Sequence, residues 1–185
     1  MTLEEVKQKV YALIEEYNEN ADDLTDDEDL ALKMNSVINS VMHEVARMKK
    51  IPTKTTLEIV FEEGQEELEM DMTDIDKNIY QIDLIKGVNS QVFGKTITFE
   101  EEGTAKIFYF KYPTAITEDT DDDYVFELDV DALECMVYGI AGDLLKSDVS
   151  QSYGNIYSQR YEQLLQRLDS RTTLGGIYID GAIEV

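Results

Sequence analysis

Few residues in this chain have the type and spacing that chemistry needs. The one histidine, His43, has no second histidine or cysteine near it in sequence, so it cannot complete a zinc site. The one cysteine, Cys135, belongs to a helical stretch rich in methionine and leucine, with no basic residue placed to lower its pKa. It reads as a buried structural thiol rather than a nucleophile. In Glu118-Asp119-Thr120-Asp121-Asp122-Asp123, the residues Asp119, Asp121 and Asp123 occupy the first, third and fifth places of an EF-hand loop. Tyr124 then stands where the sharp turn needs glycine, and Val130 where a bidentate glutamate is needed. The loop is expected to be solvated, with weak surface calcium binding as the open alternative. No phosphate-binding glycine loop, zinc-protease helix or nucleophile elbow is present. With 40 acids in the chain, any one carboxylate pair is uninformative about acid–base catalysis. The residues therefore predict no catalytic, cofactor or metal site, and a protein that is not an enzyme.

The charge is the most unusual bulk property. Asp and Glu number 40 against 16 Lys and Arg, a formal net charge of −24. Such a surface repels DNA, RNA and anionic membrane, and the densest basic cluster is Arg47-Met48-Lys49-Lys50. Three readings fit: plain solubility, a surface along which DNA passes without sticking, or an imitation of DNA. No apolar window is long enough to span a membrane, and MTLEEVKQKV has acids where a signal peptide has a basic start. One cysteine forms no internal disulfide, which agrees with a reducing cytosol.

The elements follow from periodicity. Leu3, Val6, Val10, Leu13, Ile14 and Tyr17 recur at helical spacing behind a capping box of Thr2 and Glu5. An acidic stretch from Asp22 to Asp29 holds a second box, Thr25 and Glu28, before a helix with Leu30, Met34, Val37, Ile38, Val41, Val45 and Met48 on one face. Pro52 closes that helix. From Thr53 to Leu128 the pattern alternates. Leu57–Phe61 and Leu68–Met72 read as strands joined by a turn at Glu63-Gly64-Gln65, Ile79–Ile85 as a third, and Thr96–Phe99 with Lys106–Lys111 as a hairpin around Gly103. A third helix begins at Asp129 or Asp131 and carries Leu133, Met136, Val137, Ile140, Ala141, Leu144 and Leu145, with Gly139 and Gly142 suiting a close helix neighbour. A fourth starts after Ser147-Asp148 and carries Tyr153, Ile156, Tyr157, Tyr161, Leu164, Leu165 and Leu168.

The expected fold is α+β. A bundle of about four helices (1–52 and 129–171) carries an antiparallel strand-rich insertion (53–128) between helices two and three, and an extended tail (172–185). The tail passes through Gly175-Gly176 into Ile177, Tyr178, Ile179 and, further on, Ile183. These four are the candidate partner-binding residues, because a strand with no local hairpin partner has backbone groups to satisfy elsewhere; a frayed terminus and a strand folded back on the chain's own sheet are the alternatives.

One ordered series of features carries a resemblance. An aromatic strand, Ile107-Phe108-Tyr109-Phe110-Lys111-Tyr112-Pro113, leads into the acidic stretch Ile116–Asp123 and then Phe126-Glu127-Leu128. A helix rich in small residues, Ala132–Ala141, ends in Leu144-Leu145-Lys146-Ser147-Asp148, and the last helix bears Tyr157 and Tyr161-Glu162-Gln163-Leu164-Leu165. In this order the segment from Lys106 to Arg171 resembles the head–tail adaptor (connector) proteins of tailed bacteriophages. The strand region is long for that family and the acidity extreme. The resemblance implies a structural protein of the virion neck, assembled in the host cytoplasm. It would dock as a ring under the portal protein and contact neighbouring adaptor subunits and tail or tail-completion proteins. DNA would pass through without specific binding. The rival reading is an acidic DNA mimic that inhibits a host nucleic-acid enzyme; a small enzyme or metal-binding domain has no motif in its favour.

Overall fold

A computed structural model describes residues 1–15, 28–145 and 151–172, with side chains over 1–14, 33–145 and 153–168. The chain is mixed α+β, with four helices and two small antiparallel sheets. Helix α1 (Leu3–Glu15) opens on the reciprocal box read from the sequence. The Thr2 amide donates to Glu5 Oε2 at 3.0 Å and the Glu5 amide to Thr2 Oγ1 at 3.2 Å. Helix α2 (Glu28–Lys49) buries Met34, Ile38, Val41, Met42, Val45 and Ala46. It stops at Lys50, whose φ of 53° leaves the helical region, and Pro52 then opens a strand instead of merely ending the helix. Thr25 of the second capping box, Asp22 to Asp27 of the acidic stretch and the Ser147-Asp148 cap lie outside the described residues.

Helix α3 (Val130–Leu145) is the hub. Asp129 caps it, accepting from the Ala132 amide at 2.9 Å on its carboxylate. Leu133, Met136 and Ile140 are buried on one side, and Ala132, Cys135, Gly139 and Gly142 on others. A helix buried on several sides needs several neighbours, and α3 touches α1, α2 and α4 (Gln151–Thr172). On α4, Tyr161 and Leu168 are buried as the helical spacing predicts. Tyr153 and Ile156 are not: they stand 39% and 57% exposed, so the apolar face of α4 is longer in sequence than the surface that covers it.

The strands are β1 (Pro52–Ile59), β2 (Leu68–Asp71), β3 (Ile79–Lys86), β4 (Ser90–Phe93), β5 (Thr96–Phe99) and β6 (Gly103–Lys111). They form two sheets, ordered β1-β6-β3 and β2-β5-β4. Two expected hairpins are overturned. The turn at Glu62–Gln65 exists, with a 2.9 Å bond from the Gln65 amide to the Glu62 carbonyl and Gly64 at φ 89°. It joins no hairpin, because β1 pairs with β6 and β2 with β5. Likewise β5 and β6 do not pair; Gly103, at φ 141°, turns the chain from one sheet into the other. The tight hairpin is β4–β5, whose two-residue turn begins with Gly94 at φ 62°, the conformation that glycine supplies at the first position of a type II′ turn. Strand β4 was not among the expected strands.

Two apolar clusters result. Ile59, Met72, Ile79, Ile97, Phe99, Ala105, Ile107 and Tyr109 join the two sheets. The helices share the other cluster with Ile116, Phe126 and Leu128 from the long connection after β6. A row of rings ties them together: His43 stacks on Tyr112 at 4.6 Å, Tyr112 lies 4.7 Å from Tyr80, and the Tyr80 hydroxyl donates to the Ala46 carbonyl at 3.1 Å.

Candidate functional site

One concavity of mixed chemistry lies where α2, α3 and α4 meet. It is a cleft of about 220 Å³ lined by Glu44, Gly139, Asp143, Ser158, Tyr161, Glu162 and Leu165. Gly139 makes room for it: a Cβ there would press on Val41 at 2.7 Å and on the Tyr161 ring at 2.9 Å. The phenol of Tyr161 donates to Glu44 Oε2 at 2.7 Å. Burial raises the Tyr161 pKa, and the hydrogen bond and charge of Glu44 raise it further. Behind it the Cys135 thiol contacts the Tyr161 carbonyl at 3.7 Å, and burial, helped by Glu44, pushes it up to about 12. Near neutral pH the phenol is a fixed donor and the thiol stays protonated.

Cys135 is buried in the core as its sequence context predicts, and His43 stacks on Tyr112, a contact the sequence does not announce. Among the described residues no group of three His, Cys, Asp or Glu side chains is gathered as a metal would require. The loop from Glu118 to Asp123, together with Tyr124, has a structural task that its EF-hand-like spacing does not show. Its carbonyls hold the start of α1: the Leu3 amide donates to the Tyr124 carbonyl at 2.9 Å and the Glu4 amide to the Asp122 carbonyl at 3.0 Å. First-turn amides have no partner within their own helix, so the loop satisfies two of them. Lys7 adds an ion pair to Asp122 at 2.9 Å. Upstream, Asn39 grips the backbone of one residue of the same connection, donating to the Ile116 carbonyl at 2.8 Å and accepting from the Ile116 amide at 2.7 Å. No sequence motif marks Asn39; its amide merely has both a donor and an acceptor.

Gly142 and Gly154 bring α3 and α4 together. A Cβ on Gly142 would meet Ser158 Oγ at 2.7 Å and the Ser158 amide nitrogen at 3.1 Å, and one on Gly154 would meet Leu145 at 3.2 Å.

No family model matches the chain, and no curated protein matches it significantly.

The candidate partner-binding residues Ile177, Tyr178, Ile179 and Ile183 lie outside the described residues. The edges such a strand could join are β1 and β3 in one sheet and β2 and β4 in the other. Strand β4 ends in Phe93, which is 90% exposed. No helix among the described residues is long and apolar enough to cross a membrane.

Proposed function

We propose that this chain is a structural head–tail adaptor of a tailed phage, forming a ring beneath the portal that extends the DNA channel towards the tail. The supporting observation is the run from β6 through the acidic loop to α3 and α4. An aromatic strand, a loop rich in carboxylates, a helix of small residues and a tyrosine-bearing helix follow in that order, and Ile116, Phe126 and Leu128 on either side of the loop share one apolar cluster with the two helices. The four helices act in this reading as one bundle that carries the strands as an inserted lobe, so each subunit offers two surfaces with separate cores.

The net charge of −24 suits a channel wall. Each basic side chain that meets a phosphate adds affinity and drag, whereas a carboxylate-lined wall leaves DNA free to slide. The portal protein, neighbouring adaptor subunits and tail-completion proteins are the partners in this reading, and the virion neck is the destination. The test is co-sedimentation of the purified chain with purified portal rings, followed by electron microscopy. A stoichiometric ring on the portal's outer end is the expected outcome. No association, together with inhibition of a host DNA-processing enzyme by the free chain, overturns it in favour of an acidic DNA mimic.

A further inference from the structure

The outer face of the β1-β6-β3 sheet is out of character with the rest of the chain. Alternation along β6 sends Ala105, Ile107 and Tyr109 into the sheet core and leaves Lys106 and Phe108 on the other face. The register sets Lys54 and Leu84 on either side of Phe108, and Lys86 directly opposite Lys106. Lys86 Nζ stands 6.0 Å from the centre of the Phe108 ring, and Leu84 is 45% exposed. Like charges placed opposite each other across a sheet oppose its pairing. Lys54, Lys86 and Lys106 also form no ion pair among the described residues. These three are gathered around two apolar side chains, Leu84 and Phe108.

We propose that this face docks a second copy of the chain, receiving the copy's loop Glu118–Asp123. The proposal rests on the ring reading above and names the contact that would build the ring. Charge complementarity selects the occupant. Glu118, Asp119, Asp121 and Asp123 are all exposed. Bonds from the Thr120 amide to the Thr117 carbonyl at 3.2 Å and from the Tyr124 amide to the Asp121 carbonyl at 3.0 Å hold the loop in shape. A loop already ordered loses little freedom on binding. Leu84 and Phe108 supply the apolar centre and the lysines its charged rim. The face and the loop are different patches of one chain, so the contact is head-to-tail and propagates until it closes on itself. A nucleic acid fits less well: three lysines neutralise few phosphates, and the field of the whole chain opposes its approach.

The experiment is sedimentation velocity over a concentration series at physiological ionic strength, with melting curves to establish that every variant is folded. One variant carries Lys54→Glu, Lys86→Glu and Lys106→Glu; another carries Glu118→Lys, Asp119→Lys, Asp121→Lys and Asp123→Lys; a third combines all seven changes. The wild type self-associates, and each reversal alone weakens association by about tenfold or more, as expected when close charge pairs across an interface become repulsive. The combined variant, in which the charges are exchanged, associates again. A milder set, Lys54→Gln, Lys86→Gln and Lys106→Gln, gives an intermediate loss. A wild type that stays monomeric throughout overturns the proposal. So does association that ignores the reversals, though the ring reading then survives on another contact. Failure of the combined variant to recover also overturns it. If the lysine reversal instead abolishes retention of a labelled single-stranded oligonucleotide, the face belongs to nucleic acid.

Discussion

Tyr161 on α4 reaches across the cleft to Glu44 on α2, its hydroxyl 2.7 Å from the carboxylate. The pair links two helices that otherwise meet mainly through α3. Glu44 is exposed, so water can replace the phenol once it is removed. Tyr161→Phe should therefore cost only about 0.5–1.5 kcal/mol, the usual net value of a hydrogen bond whose partner can be rehydrated. Urea unfolding of the two proteins measures it. A loss well above that range would mean the carboxylate is far less accessible than its exposure implies.

Alkaline pH should destabilise the folded chain. Cys135 and Tyr161 both ionise less readily in the folded chain than in the unfolded one, as do Tyr80, Tyr109 and Tyr124, with burial the first cause each time. A raised folded pKa stabilises at pH below the unfolded value, and that contribution is lost as pH rises towards the folded one. The thiol's contribution starts to fade near pH 9 and is gone near 12, and the phenols' starts to fade near 10. Melting temperature should fall steadily above pH 9, and Cys135→Ala should flatten the first part of that fall. A level profile to pH 11 would contradict the burial of these groups.

Gly142→Leu should destabilise by at least about 1–3 kcal/mol, the range for overpacking a tight contact. Here the obstruction includes the Ser158 amide nitrogen at 3.1 Å, which no rotamer change relieves. A variant that melts within a degree of its parent would show that α4 can step away from α3.

Association with the portal should be independent of metal and of the histidine. His43→Ala loses the stack on Tyr112, which costs roughly 0.5–1.5 kcal/mol of stability. Portal binding by the folded variant, and by the parent after chelator treatment, should match the untreated parent. Loss of binding under either condition returns a metal site to consideration.

Deleting residues 173–185 separates assembly from folding. With the tail strand serving a neighbouring subunit or the portal, the truncated monomer keeps its melting temperature while ring or portal association weakens. A lower melting temperature would assign Ile177, Tyr178, Ile179 and Ile183 to the chain's own core.

The helices were legible because each signal was local. The box of Thr2 and Glu5, the cap at Asp129 and the recurring apolar residues of α3 all lie within one or two turns of what they control. The strands were legible as strands and illegible as partners. Alternation in Leu57–Phe61 says which side chains share a face, but nothing local says that Leu57 pairs with Ala105 rather than with β2. Turn chemistry misled in the same way: Gly64 and Gly103 bend the chain between sheets, while the hairpin glycine is Gly94. The lysine face was hidden for the same reason. Lys54, Lys86 and Lys106 are far apart in sequence, and only the register collects them.

The clamp between α1 and the acidic loop has a consequence for the order in which the molecule can be made. Lys7 and Asp122 are 115 positions apart, and the α3 surface that covers Val6 and Val10 comes later still. During synthesis α1 and α2 leave the ribosome with their apolar faces uncovered and wait for the whole strand region to follow. The strands between β1 and β6 have their own core and need nothing from α3 to close it. The two sheets are therefore expected to close first, with the helix that emerged earliest among the last to dock. Contacts across so long a loop form slowly. In that interval the exposed faces of α1 and α2 are where a chaperone would bind, and where a truncated product lacking α3 would aggregate.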